Sequence, residues 1–154
     1  MSTATAADEF KEQFYLAVKD LMAEEEATKY VHVTYGQPDT LDPEDIVSFM
    51  ALESQQDPKT IGNRGREEVI VLDVQISCFR GGGQESELLC AKRGYELLRM
   101  IEYYCRKTDT TVGGTVMWCF LTSHESFGAT DPQHMDKGRV IEITAKFTAR
   151  SRIH

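Results

Sequence analysis

Apolar positions along the chain follow two periods, and the switches between them mark the elements. Residues 7–25 repeat at helical spacing, with Phe10, Phe14, Ala17, Val18 and Leu21 in one stripe. Glu9, Lys11, Glu12, Lys19 and Asp20 fall on the opposite face, and Asp8 and Glu9 sit in the first turn, where the helix dipole favours acids. "KYVHVTYG", 29–36, alternates and is rich in β-branched and aromatic residues, which predicts a strand. Residues 67–80 predict a long strand. Ile70, Leu72, Val74, Ile76 and Cys78 line one face; Val69, Val71, Asp73, Gln75 and Ser77 line the other.

A second helix is predicted over 84–107, with Cys90, Gly94, Leu97, Leu98, Ile101 and Cys105 as its buried stripe. Gly94 costs about 1 kcal/mol against alanine in mid-helix, so a close approach to the sheet is expected there. Residues 111–127 predict a strand entered through Gly113-Gly114. Val116, Trp118 and Phe120 point one way and Met117, Cys119 and Leu121 the other, so a central strand is expected. After a loop at 128–138, residues 139–152 alternate again. Ile141, Ile143, Ala145, Phe147 and Ala149 face in, and the last two strands make a hairpin.

Residues 37–66 break the pattern. They hold three of the four prolines, and only 46–52 is apolar enough for a short element. A connection of this length predicts a polar arm or inserted loop that meets a partner. The whole is then one domain over 1–154. Its expected class is α+β: a mainly antiparallel sheet of four to five strands with two helices packed on one face.

Composition changes this picture little. Of 154 residues, 41% are hydrophobic and 27% charged, ordinary for a globular domain. No stretch has the pattern of a signal peptide or a membrane span. The net charge of −8 is uneven: residues 1–63 carry thirteen acids against four bases, and residues 64–154 twelve against thirteen. The acidic half argues against general nucleic-acid binding, which needs a basic face.

Candidate chemistry is sparse. "FRGGGQES" has the strand–glycine–helix order of a phosphate loop. The P-loop lysine is missing, and Ser86 stands where the third glycine of a dinucleotide fingerprint belongs. Glu85 and Glu87 would repel a phosphate at that helix start, so the glycines predict a turn. Cys78, Cys90, Cys105 and Cys119 lack zinc or redox spacing and are expected as buried thiols. Ser123, His124 and Glu125 are adjacent, and neighbours on a strand point to opposite faces, which a triad cannot use. The lone His32 has no partner at ligand spacing, and "HMD" at 134–136 could hold a metal, although a solvated loop is the commoner case. No catalytic residue, cofactor or metal site is predicted.

The order of landmarks resembles the tail terminator, or tail completion, proteins of long-tailed bacteriophages. The carrying features are the opening amphipathic helix, "VTYG", "PEDIVSF" (43–49), "NRGREEVIVLDVQISCF" (63–79), the "GGG" turn, "AKRGYELLRMIE" (91–102), "TVGGTV" (111–116) and "GRVIEITAKFTARSRI" (138–153). The resemblance spans nearly the whole chain and is one of layout, without a catalytic signature.

It implies a structural virion protein of the tail neck, assembled in the host cytoplasm, with no enzymatic activity and no membrane contact. Such proteins form a hexameric ring on the head-proximal end of the tail tube. The ring stops tube polymerisation and joins the tail to a head-completion, or stopper, protein, while genomic DNA passes through its bore. On this reading Arg64, Arg66, Arg150 and Arg152 are candidates for pairing with a neighbour's acids, against solvated charges worth about 0–1 kcal/mol each. Glu24, Glu25 and Glu26 are candidates for lining the bore, where negative charge would keep DNA from sticking. Alternative readings are another neck or tail-tube protein, a small α+β enzyme, or a binding module.

Overall fold

A computed structural model describes residues 4–58 and 64–154. Among them, helix α1 spans Ala7–Glu24 and α2 Glu85–Tyr103. The strands are β1 His32–Tyr35, β2 Asp45–Pro58, β3 Arg66–Arg80, β4 Trp118–Gly128 and β5 Arg139–Ile153. They form one sheet in the order β1-β2-β3-β5-β4. Only the β1–β2 pair is parallel. The fold is α+β, as the patterns predict.

Both helices pack on one face, and the core lies between them and the sheet. Phe10, Phe14, Val18 and Met22 of α1 are buried. The Phe14 ring meets Phe49 and Phe147 edge-on, each with centroids 5.2 Å apart. Such pairs add about 0.5–1.5 kcal/mol beyond the area they bury. No side chain of α1 caps its own start; a distant carboxylate does so. Glu68 of β3 accepts the Ala6 N–H at 2.9 Å and hydroxyl bonds from Thr5 and Ser54. A negative group there both pairs orphan donors and complements the dipole.

In α2, Gly94 permits the close approach expected of it. A Cβ at that position would lie 2.7 Å from Ile143 Cδ1, inside contact distance. The helix runs on into a π-helical turn at Tyr104–Thr108. Asp109 then organises the next loop, accepting from the N–H groups of Thr111 and Gly113 at 3.0 and 2.8 Å. Burial pushes its carboxyl up, but these bonds and the Thr111 hydroxyl outweigh that and hold it below the ordinary range.

Two expectations need correction. The segment 37–66, expected as a polar arm, contains the fourteen-residue β2, which pairs with β3 from Asp45 to Pro58. Its first five residues are buried and its last six exposed, so backbone pairing rather than core burial holds its outer half. Residues 59–63 of that expected arm lie outside the described residues. The second correction concerns β4, which is an edge strand, not a central one. Its Trp118 and Phe120 lie on the sheet face that the helices do not cover. An apolar residue on both faces therefore reports the open sheet surface here, not a second neighbouring strand.

Candidate assembly surface

The helix-free face of the sheet is half-polar and laddered with charge. Register places Val69, Val71, Asp73, Gln75 and Ser77 of β3 opposite Arg150, Thr148, Lys146, Thr144 and Glu142 of β5. Lys146 Nζ donates to Asp73 Oδ1 at 2.8 Å, and that carboxylate raises the lysine's pKa. Gln75 Nε2 donates to Glu142 Oε2 at 3.0 Å. On β4, Trp118 and Phe120 lie beside this ladder with ring centroids 5.3 Å apart, and Phe120 and Phe127 are exposed. This is an amphipathic sheet face without a cover among the described residues.

The four candidate arginines cluster at one end of the sheet, but they do not all stay unattached. Arg150 donates to Glu67 of its own chain, with its guanidinium 5.6 Å from the Trp118 ring centroid. Arg152 is exposed and opposite Glu67 in the β3–β5 register. Arg66 Nη1 donates to the Gly65 carbonyl at 3.1 Å, and Arg64 is exposed just before β3. Glu24, Glu25 and Glu26 lie together and exposed where α1 ends, with Glu26 paired to Lys29 at 2.6 Å.

A charge knot at Asp45 is not among the sites predicted from the sequence. Asp45 is buried at the start of β2. Arg80 of β3 grips it with two bonds of 2.9 and 3.1 Å, and Arg93 of α2 adds a third at 2.9 Å. Burial pushes the carboxyl up, yet the two guanidinium groups more than offset it and hold its pKa below the ordinary aspartate value. Arg93 also donates to the Ala27 carbonyl, so this knot fixes α2, β2, β3 and the turn after α1 together. An aspartate followed by an apolar strand is the only sequence signal it leaves.

The glycine turn is used internally. Ser86 Oγ donates to Gly81 O at 2.7 Å, and the N–H groups of Ser86 and Glu87 donate to Gly83 and Gln84. Gly82 has φ +112°, a backbone that disfavours any side chain. The adjacent Ser123, His124 and Glu125 are split as strand geometry requires. His124 faces α2, with its Nδ1 3.1 Å from the Tyr95 hydroxyl, while Ser123 and Glu125 register with Lys146 and Thr144 of the open face.

The cysteines are buried free thiols. Burial, then Asp45, pushes Cys78 up; the neighbouring Cys119 and burial push Cys105 up. Among the described residues, no helix is long and apolar enough to cross a membrane. Two hollows adjoin along α2: one of about 440 Å3 lined by Ala91, Lys92, Tyr95, Glu96 and Arg99, and one of about 290 Å3 that reaches β4, lined by Tyr95, Leu98, Arg99, Glu102, Leu121 and His124.

No protein-family model matches the chain, and no curated protein matches it in sequence.

Proposed function

We propose that the chain is a structural subunit of a hexameric ring that closes the head-proximal end of a phage tail tube. In this reading it stops tube growth, offers a seat to the stopper protein and lets genomic DNA pass. The observation that carries it is the one-sided sheet. Its helix-free face over β3, β5 and β4 presents Val69, Val71, Trp118 and Phe120 among paired charges, and β4 leaves one edge unpaired. A subunit that works alone gains nothing from such a surface, whereas a ring element needs unlike surfaces that meet head to tail.

The resemblance of the sequence supplies the identity of the ring. Arg64 and Arg152 are the arginines proposed to meet a neighbour's acids, because Arg150 is already engaged with Glu67. Glu24, Glu25 and Glu26 are proposed for the bore, where their negative charge would repel passing phosphates. The experiment is the native mass of the purified protein with imaging of its particles. Six times the 17.4 kDa chain mass, with ring-shaped particles, is expected. Particles of another symmetry would move the reading to a different neck or tube protein.

A further inference from the structure

Among the described residues the sheet has two open edges. β4 forms one along its length. The other belongs to β2, because β1 pairs only with residues 46–49 and leaves the edge of residues 50–58 bare. Such edges present backbone donors and acceptors that another strand can take. The two edges match in level and direction. Register across β2, β3, β5 and β4 puts Leu52 level with Leu121, Glu53 with Phe120 and Gln55 with Trp118. Three successive antiparallel pairings make β4 run opposite to β2. Two copies set side by side in one orientation therefore bring β4 against β2 antiparallel. Leu52 and Leu121 then both lie on the helix side, and Glu53 and Phe120 both on the open face.

Charge matches at the same end of the sheet. Asp57 of β2 and Arg152 of β5 are each level with Glu67, so both lie on the open face. Both are exposed, and neither enters an ion pair among the described residues. β4 begins at Trp118, opposite Arg150, and so has no residue between Arg152 and the edge. The other charges that β3 and β5 present here are already matched, Lys146 with Asp73 and Arg150 with Glu67. Glu53, the second acid of the bare β2 edge, is level with Phe120 and Thr148 and so faces no acid across the two edges.

We infer that residues 118–121 of β4 pair antiparallel with residues 52–55 of β2 in a second copy of the chain, and that Arg152 there meets the second copy's Asp57. A second copy is the occupant because one chain carries both edges at one level, with an unpaired cation beside one and an unpaired acid on the other. Both strands also shift register just beyond the contact, between Phe49 and Leu52 and between Leu121 and Ser123. A bulge bends its strand, and here it turns β4 aside at the level where the second copy's β1 covers β2. The two edges differ, which makes the contact heterologous and able to propagate around a ring. The inference rests on the ring reading above and names the contact that closes it.

Cross-linking tests it. Glu53→Cys and Phe120→Cys are placed in one chain, where both side chains are exposed, and thermal melting by circular dichroism checks that the variant folds. Within a chain the two positions are three strand spacings apart, about 14 Å, too far for a disulfide. Across the inferred contact they are directly opposite, at about 5 Å. Oxidised glutathione should therefore give a ladder of covalent multiples on a non-reducing gel. Each single variant, and the wild type with its buried thiols, should give single chains. A second pair of variants reads the charges by sedimentation equilibrium. Asp57→Lys should self-associate at least ~10-fold more weakly than the wild type, and Asp57→Lys with Arg152→Asp in the same chain should recover it. If the double-cysteine variant gives single chains while its native mass is that of an oligomer, the contact is wrong and a ring through other surfaces stands. A wild type that remains monomeric at every concentration, with no ladder from the variant, overturns the contact as a self-contact. The ring reading is then judged separately, by capping of tube ends.

Discussion

Arg93 Nε donates to Asp45 Oδ2 at 2.9 Å and so joins α2 to the first residue of β2. With Arg80 on the same carboxylate, one buried acid holds two cations and three elements. Removing the acid leaves both guanidinium groups facing each other. Asp45→Asn should therefore cost about 3 kcal/mol, the lower end for breaking a buried pair, because both arginines keep some solvent. Urea unfolding at neutral pH measures it.

The same knot sets an acid limit. The folded pKa of Asp45 is depressed below its usual 3.8, so its contribution is fully present above that value. It is lost as pH falls through the lower folded pKa. The wild type should lose stability below about pH 4, and part of that loss should be missing in Asp45→Asn. Parallel pH profiles for the two proteins would contradict this assignment.

Gly94 and Ile143 should be coupled. Gly94→Ala gains about 1 kcal/mol of helix propensity but forces a methyl onto the fully buried Ile143 Cδ1, an overpacking cost of about 1–3 kcal/mol. In an Ile143→Val background that atom is gone, and Gly94→Ala should become neutral or stabilising. A double-mutant cycle with no interaction energy would show that the helix shifts freely instead.

Glu68 should hold the first turn of α1 down. Glu68→Ala leaves the Ala6 N–H without its partner and should cost about 1–3 kcal/mol. The local signature is faster hydrogen exchange in the first turn of α1 than in α2. Uniform loss of protection across both helices would assign Glu68 a global role.

Much of the fold is legible because burial imposes its period directly. The alternation of Ile141, Ile143, Ala145, Phe147 and Ala149 in β5 and the Phe10–Phe14–Val18 stripe of α1 are each set by one covered face. The outer half of β2 is not legible. Residues 53–58, "ESQQDP", hold their place by backbone pairing with β3, and polar side chains carry no record of that. The edge position of β4 is hidden for a related reason. Trp118 and Phe120 look like core residues in the sequence, although no helix among the described residues covers their face. The open sheet face is least legible, since Lys146 meets Asp73 across 73 residues and Arg150 meets Glu67 across 83. Spacing along the chain encodes neither contact.

For the proposed ring function, the most direct measurement is electron microscopy of phage tail tubes assembled from their tube protein with and without this protein. Tubes of arrested length, each bearing a ring at one end, are the expected result. Tubes that keep growing with bare ends, at protein concentrations where the chain is folded, would contradict it.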